Sequence, residues 1–112
     1  LLAEAKARAL AMVEGYQPAQ PTTFRLPGES GRAALNLAVH QMARLGKATP
    51  HDITVCDHLA RTLTGGTRDH TEETREEEVL RLERQGFMAL LKTPGTLARV
   101  EHMLETGRPL RN

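Results

Sequence analysis

Apolar residues recur along most of the chain at steps of three and four, which is the spacing of an amphipathic helix. In the first such segment, Leu2, Ala5, Ala9 and Val13 fall on one face. Five segments of this kind predict helices, at residues 1–16, 30–45, 50–64, 71–92 and 94–106. No segment alternates apolar and polar residues with the period of a strand, so we predict an all-α fold class of about five helices.

Polar residues and glycines mark the predicted ends of these helices. Thr49 and Thr93 each precede a proline, which is typical of a capping residue followed by the first helical position. Ser30 and Thr71 are the predicted caps of the second and fourth helices. The predicted stops are Gly15, Gly46, Gly65, Gly66 and Gly107, because glycine tolerates the left-handed conformation that closes many helices. Gly86, inside the fourth helix, suggests the close approach of another backbone, with a tolerated defect as the alternative.

Residues 17–29 carry three prolines and cannot be helical throughout, so we predict an extended connector after the first helix. The predicted organisation is one helical unit over residues 1–112, with a first helix (1–16), the connector (17–29) and a helical bundle (30–112). Phe24 and Leu26 would need cover in a connector, so a boundary between two packed units is the alternative. The sequence begins at Leu1 without an initiator Met, and the helical spacing of apolar residues starts with its first residues. We therefore expect a segment of a longer polypeptide.

Composition and charge narrow the function classes. Aromatic residues make up 3% of the 112 residues, so the core must be built from Leu, Ala, Val and Met. The net charge is +1, which is too small to produce an electrostatic potential that would favour nucleic acid or an anionic membrane as a partner. The single cysteine, Cys56, excludes an internal disulfide and fits a reducing compartment. No apolar run approaches the roughly 20 residues of a membrane span, so we expect a cytoplasmic protein.

Histidines and the cysteine are the first candidates for chemistry. The five histidines are His40, His51, His58, His70 and His102. None of them pairs at i, i+4 spacing with a carboxylate as third ligand, so we predict scattered surface or capping histidines and no metal site. Cys56 lies in an apolar stripe with Ile53 and Leu59, and we therefore interpret it as an inert, buried thiol.

For two further motifs, an acidic run and a glycine pair, we prefer a structural interpretation to a binding or catalytic one. The acidic run Glu72–Glu78 could hold a cation or an acid and base pair, but acids near a helix start also complement the helix dipole. Glu77 and Arg81 have the spacing of a favourable helical ion pair, so we predict a solvated face. Gly65-Gly66-Thr67-Arg68 resembles half of a phosphate loop, but no strand precedes it and no Lys-Ser follows, so we predict a helix stop.

The last six residues, GRPLRN, place Arg108 and Arg111 on either side of Pro109. Two arginines beside a rigid proline could clamp a phosphate or carboxylate, or dock onto a neighbouring domain. A frayed basic end is the alternative, and the sequence leaves the two open. We predict no catalytic and no cofactor-binding residue in the chain. Arg108 and Arg111 are its only candidate contact residues.

Three blocks carry a resemblance to a known family, and they read GESGRAALNLAVHQMARLGKATPHD (28–52), HLARTLTGG (58–66) and ERQGFMALLKTPGTLARVEHMLETGRPLRN (83–112). They resemble the extreme C-terminus of bacterial fused 3-hydroxyacyl-CoA dehydrogenases. In that family an NAD-binding domain precedes a crotonase-like, enoyl-CoA hydratase/isomerase domain. Two departures are visible, because Gln85-Gly86 stands where Glu-Ala is expected and the acidic stretch near Arg75 differs.

The resemblance implies a parent enzyme that oxidises 3-hydroxyacyl-CoA with NAD in fatty-acid β-oxidation. It implies no NAD site in this chain, which alone is expected to be inactive. The expected roles are packing, oligomerisation and cover for the acyl-CoA site, with the rest of the parent polypeptide and a second copy as partners. Acyl-CoA would be met only through the parent, since Arg108, Arg111 and Lys92 are scattered cations without a formed pocket. An independent helical protein-interaction module is the alternative.

Overall fold

A computed structural model describes all 112 residues, from Leu1 to Asn112. The elements in chain order are α1 (Leu2–Ala11), β1 (Thr23–Arg25), α2 (Gly28–Arg44), α3 (Pro50–Leu63), β2 (Glu73–Arg75), α4 (Glu76–Leu90) and α5 (Pro94–Thr106). The helices hold 62% of the residues, so the prediction of a helical fold with five helices is confirmed. None of these helices is both long enough and apolar enough to cross a membrane.

The prediction that the chain contains no strand is wrong for six residues. β1 and β2 form an antiparallel pair, with Phe24 opposite Thr74. Each strand is only three residues long, which is too short to show an alternating pattern. The two strands are also almost 50 residues apart in the chain, so only tertiary packing brings them together.

Local capping signals located two helix starts correctly. The Thr49 hydroxyl accepts a hydrogen bond from the Asp52 N–H at 3.2 Å, and the Asp52 carboxylate accepts one from the Thr49 N–H at 2.8 Å. This reciprocal arrangement is a capping box, with Pro50 at the first position of α3. Thr93 caps α5 in the same sense, since its hydroxyl accepts from the Thr96 N–H at 3.4 Å.

Two other predicted caps, Ser30 and Thr71, are wrong. α2 begins at Gly28, two residues before Ser30, because the Gly28 N–H donates to the Thr64 carbonyl at 2.8 Å and fixes the start of the helix. Thr71 does not cap α4, because its hydroxyl donates to Asp69 at 2.6 Å instead. α4 begins only after β2, at Glu76.

Four of the five predicted glycine stops lie beside helix ends, whereas Gly15 does not, because α1 ends at Ala11. α2 ends at Arg44 just before Gly46, α3 ends just before the Gly65-Gly66 pair, and Gly107 closes α5 in the left-handed conformation with φ of 68°. α1 is shorter than predicted, because it ends at Ala11 and residues 12–15 form turns before the connector.

The buried core is small and mostly not hydrophobic. Seven residues are buried, namely Gly28, Ala60, Thr62, Thr64, Gly65, Gly66 and Thr74. They lie where the end of α3 meets the start of α2 and the strand β2. α2 packs on α3 and α3 packs on α4, whereas α1 and α5 make only minor contacts with other elements. No large apolar side chain is among the buried residues, although such side chains were expected to form the core.

Candidate docking surface

The helices are tied together by ion pairs, the first of which joins α2 to α3. The Arg32 Nε donates to Asp57 Oδ1 at 3.2 Å and its Nη2 donates to Oδ2 at 3.1 Å, in the bidentate geometry that arginine favours. The Asn36 amide donates to the same carboxylate at 2.7 Å. These bonds, chiefly the one from Asn36 and then those from Arg32, hold the pKa of Asp57 below its ordinary value. Asp57 is therefore a structural anion.

A second ion pair joins α5 to the start of α3. The Arg99 guanidinium donates to an Asp52 carboxylate oxygen at 2.8 Å and contacts the Thr49 hydroxyl at 3.3 Å. The pKa of Asp52 is lowered from 3.8 to about 2, first by the hydrogen bond from the Thr49 N–H and then by Arg99. Asp52 thus serves at once as a helix cap and as an inter-helix partner.

A third ion pair, between Arg68 and Glu78, fastens the loop after α3 to the first turn of α4. Arg68 also reaches the Glu73 carbonyl, at 3.4 Å. The Glu78 carboxylate accepts from the Arg75 N–H at 3.1 Å, and that bond, followed by the charge of Arg68, lowers the pKa of Glu78. The pair that the sequence predicted, Glu77 with Arg81, does not form, because Glu78 is the acid that meets an arginine.

Large apolar side chains face outward from every helix. We define the outer apolar surface as the large hydrophobic residues that stay exposed on the four helices α2 to α5. They are Leu35, Leu37, Met42, Leu45, Leu59, Leu63, Leu80, Phe87, Met88, Leu97, Val100, Met103 and Leu104. On α1 and the turn after it, Leu1, Leu2, Leu10, Met12, Val13 and Tyr16 are also exposed.

Several apolar side chains are more exposed than the charged groups that join the helices. The side chains of Arg99 and Asp52 are 24% and 28% exposed. Leu45 is 71% exposed and Leu104 is 81% exposed. Charged residues are ordinarily among the most exposed and leucines among the most buried. Exposed apolar side chains on this scale are unusual for a monomeric protein in water.

The residues predicted as chemical candidates do not converge on a site. The structure brings no three His, Cys, Asp or Glu side chains together in a way that could hold a metal ion. Cys56 is half-buried, not fully buried as predicted. Gly65 and Gly66 lie beneath Leu26 and Leu82, and their N–H groups donate to carbonyls of α3, which agrees with a helix stop.

Gly86 lies where α4 crosses α3. A Cβ at this position would stand 3.6 Å from the Cβ of His58 and 3.8 Å from the His58 carbonyl oxygen. The suggested close approach of another backbone is therefore present, but at ordinary van der Waals distance.

The two tail arginines lie on an exposed segment that folds back on the chain. The Arg111 guanidinium donates to the Lys47 carbonyl at 3.0 Å. The Asn112 side chain accepts from Arg99 at 2.7 Å and donates to the Gly95 carbonyl at 3.0 Å. The side chain of Arg108 makes no ion pair or hydrogen bond. The tail thus contacts α5 and the turn after α2.

Sequence reasoning missed the ion-pairing residues, which prove to be the inner contacts of the molecule. The sequence did indicate a role for Asp52, because it stands three residues after the predicted cap Thr49, which is the spacing of a capping box. No signal pointed to its partner Arg99, which lies 47 residues further along the chain. Arg32 and Asp57 are separated by 25 residues, and no helical spacing links them.

The structure thus defines a mostly helical chain whose helices are joined by ion pairs and which leaves large apolar side chains exposed. Along its whole length the chain is 37% identical, over 113 aligned positions, to a C-terminal part of the probable 3-hydroxyacyl-CoA dehydrogenase of Bacillus subtilis (strain 168). The chain spans 14% of the length of that relative. No protein-family model matches the chain, and no solved structure matches it.

This similarity confirms the resemblance drawn from the three sequence blocks. The chain is therefore similar to the C-terminal part of that relative, over the whole length of the chain.

Proposed function

We propose that this chain is a non-catalytic helical segment of a 3-hydroxyacyl-CoA dehydrogenase, and that it packs against the rest of the polypeptide through its outer apolar surface. The proposed parent oxidises 3-hydroxyacyl-CoA with NAD in the cytoplasm as part of fatty-acid β-oxidation. The segment would contribute packing, contacts between subunits and cover for the acyl-CoA site. The observation that carries the proposal is the exposure of large apolar side chains on α2 to α5.

The size of the apolar surface supports packing as the main role. Full burial of a Leu, Val or Met side chain stabilises a structure by roughly 1.5–3 kcal/mol. Leu97, Val100, Met103 and Leu104 on α5 are 45%, 39%, 46% and 81% exposed, so covering them would contribute about 1 kcal/mol each, and more for Leu104. Covering the exposed leucines of α2 would contribute similar amounts. Contact with a partner body would therefore add stabilisation that the chain alone does not have.

The state of the inner carboxylates supports a non-catalytic role. A general acid or base works best when its pKa lies near the operating pH. Asp52, Asp57 and Glu78 are each held by an arginine, and the pKa of each is lowered, away from neutral pH. They hold helices together and have no free proton to exchange. NAD and acyl-CoA would therefore be bound by the parent, with Arg108 at most a contact beside the CoA.

A chimera tests the proposal. The C-terminal segment of the Bacillus subtilis relative that matches this chain would be replaced by residues 1–112, and NAD-linked oxidation of a 3-hydroxyacyl-CoA would be measured. We expect the chimera to be soluble and active, and the relative without this segment to be insoluble or inactive. Residues 1–112 alone should show no turnover above a blank.

Variants of the chimera locate the packing surface. Val100→Glu together with Leu104→Glu should abolish soluble expression, because two carboxylates would face the covering body. Glu101→Gln together with Glu105→Gln, on the same helix, is the matched control and should be tolerated. Turnover by the isolated chain, or full activity of the relative without this segment, would refute the proposal. An isolated chain that stays monomeric and does not bind a hydrophobic dye would favour an independent interaction module instead.

A further inference from the structure

α5 contacts the rest of the chain through its polar side. The half-buried residues of this helix are Gly95, Thr96, Ala98, Arg99 and His102, while Leu97, Val100, Met103 and Leu104 are exposed. Arg99, at 24% exposure, is better covered than Val100, at 39%. An amphipathic helix ordinarily turns its apolar stripe toward its own core. Something must therefore hold α5 in the opposite orientation.

The Arg99 guanidinium is the group with the most contacts on the inner side of α5. Towards α3 it donates to the Asp52 carboxylate at 2.8 Å and to the Thr49 hydroxyl at 3.3 Å. Towards the tail its Nε donates to the Asn112 side-chain oxygen at 2.7 Å. One side chain thus links α5 to the capping box of α3 and to the segment that follows α5.

The tail completes this attachment. Gly107, in the left-handed conformation, reverses the direction of the chain after α5. The Asn112 amide then donates to the Gly95 carbonyl at 3.0 Å, next to the first turn of the helix. At the same end, His51 Nε2 lies 2.9 Å from the Thr96 hydroxyl. A Cβ on Gly95 would stand 2.5 Å from the His51 ring, so the first turn of α5 lies directly on that ring.

We propose that Arg99 is the positioning residue of α5, and that it fixes the rotation of the helix so that Leu97, Val100 and Leu104 face outward. The inference rests on the proposed packing function, because an outward stripe is useful only where another body covers it. In water the hydrophobic effect favours turning the stripe inward. That rotation would break the bonds of Arg99 to Asp52, Thr49 and Asn112, and these bonds therefore oppose it. The chain thus presents a preformed stripe to the rest of the parent polypeptide.

Cysteine accessibility on residues 1–112 tests this inference. In a Cys56→Ser background, a thiol reagent would be used to label Ala98→Cys on the inner side and Val100→Cys on the outer side. We expect slow labelling at position 98 and fast labelling at position 100. Arg99→Gln should raise the rate at position 98 at least tenfold, while the rate at position 100 stays equal or falls as the stripe turns inward.

A second variant and a matched control separate positioning from general destabilisation. Asp52→Asn should have the same effect as Arg99→Gln, and the double variant should have no larger effect than either single one, since both remove one contact. Arg32→Gln breaks an ion pair of similar geometry between α2 and α3 and should leave labelling at position 98 unchanged. If the cysteine variants fail to fold, hydrogen exchange of the α5 amides in Arg99→Gln and Arg32→Gln gives the same comparison.

Two results would overturn the inference. One is a labelling rate at position 98 that Arg99→Gln changes less than twofold. The other is an equal rise in Arg32→Gln. Either result concerns only the placement of α5 in this chain, so it leaves the chimera experiment and the packing role unaffected. Conversely, an inactive chimera would leave the labelling result standing.

Discussion

Among single residues, Asp52 serves two structural roles at once. Its carboxylate caps α3 through the Thr49 N–H and pairs with Arg99 of α5, and its pKa is lowered to about 2. A group whose folded pKa is depressed stabilises the fold above its unfolded pKa of 3.8. That contribution is lost as the pH falls from 3.8 toward 2.

We therefore predict that Asp52→Asn lowers the free energy of unfolding at neutral pH by about 1 kcal/mol, a value discounted for partial exposure to solvent. The difference from the parent chain should shrink below pH 4 and vanish only below pH 2. Urea unfolding followed by circular dichroism over this pH range measures it. Glu83→Gln, which removes an exposed acid with no ion pair, should leave the pH profile unchanged. An Asp52→Asn profile parallel to that of the parent at every pH would contradict the prediction.

At the scale of elements, two glycines at helix contacts respond in opposite ways to the same substitution. Gly28 begins α2 with φ of 63°, and a Cβ there would stand 2.2 Å from the Arg68 carbonyl oxygen. Gly28→Ala should therefore destabilise the chain by about 2 kcal/mol or more, through strain and a clash with backbone. Gly86 has helical geometry, and its Cβ would meet His58 no closer than 3.6 Å.

Gly86→Ala should accordingly stabilise the chain by roughly 0.5–1 kcal/mol, because alanine favours the helix and the space accepts a methyl group. Thermal unfolding of both variants and of the parent chain measures whether each substitution raises or lowers the stability. A destabilising Gly86→Ala would mean that α3 and α4 cross more tightly than the structure indicates. A neutral Gly28→Ala would mean that the loop at Arg68 yields readily.

The elements also show which features the sequence could predict. Thr49-Pro50 and Thr93-Pro94 were sufficient to predict helix starts, because a cap is a local interaction within four residues. Ser30 and Thr71 carry the same kind of signal, but contacts of Gly28 with Thr64 and of β2 with β1 determine those starts.

For the candidate site, the apolar stripes were predictable from their spacing, but the direction they face was not. That direction depends on which charges meet, as Arg99 and Asp52 do across 47 residues. Periodicity carries no information on such a pairing. The suggested roles of Arg108 and Arg111 stay predictions, although Arg111 already has the Lys47 carbonyl as a partner.

At the scale of the whole molecule, the chain is open and flat. Its radius of gyration is 19.9 Å and its extents are 57 × 44 × 24 Å. A compact domain of about 100 residues has a radius of gyration of about 13 Å. The difference arises because α1 stands apart on its connector and because the helices expose their apolar sides. Exposed apolar surface on an open chain favours any contact that removes it from water.

Dilute chains should therefore associate with one another when no covering body is present. We expect sedimentation velocity to show an average mass that rises with concentration from the micromolar range upward. Leu10→Glu, on the exposed apolar side of α1, should lower this association while changing the free energy of unfolding by less than about 0.5 kcal/mol, since α1 contributes little to the core. Lys6→Glu makes a comparable charge change on the polar side of α1 and should leave association nearly unchanged. A chain that stays monomeric at all concentrations would show that the apolar side chains satisfy one another, and equal effects of both variants would assign the association to charge.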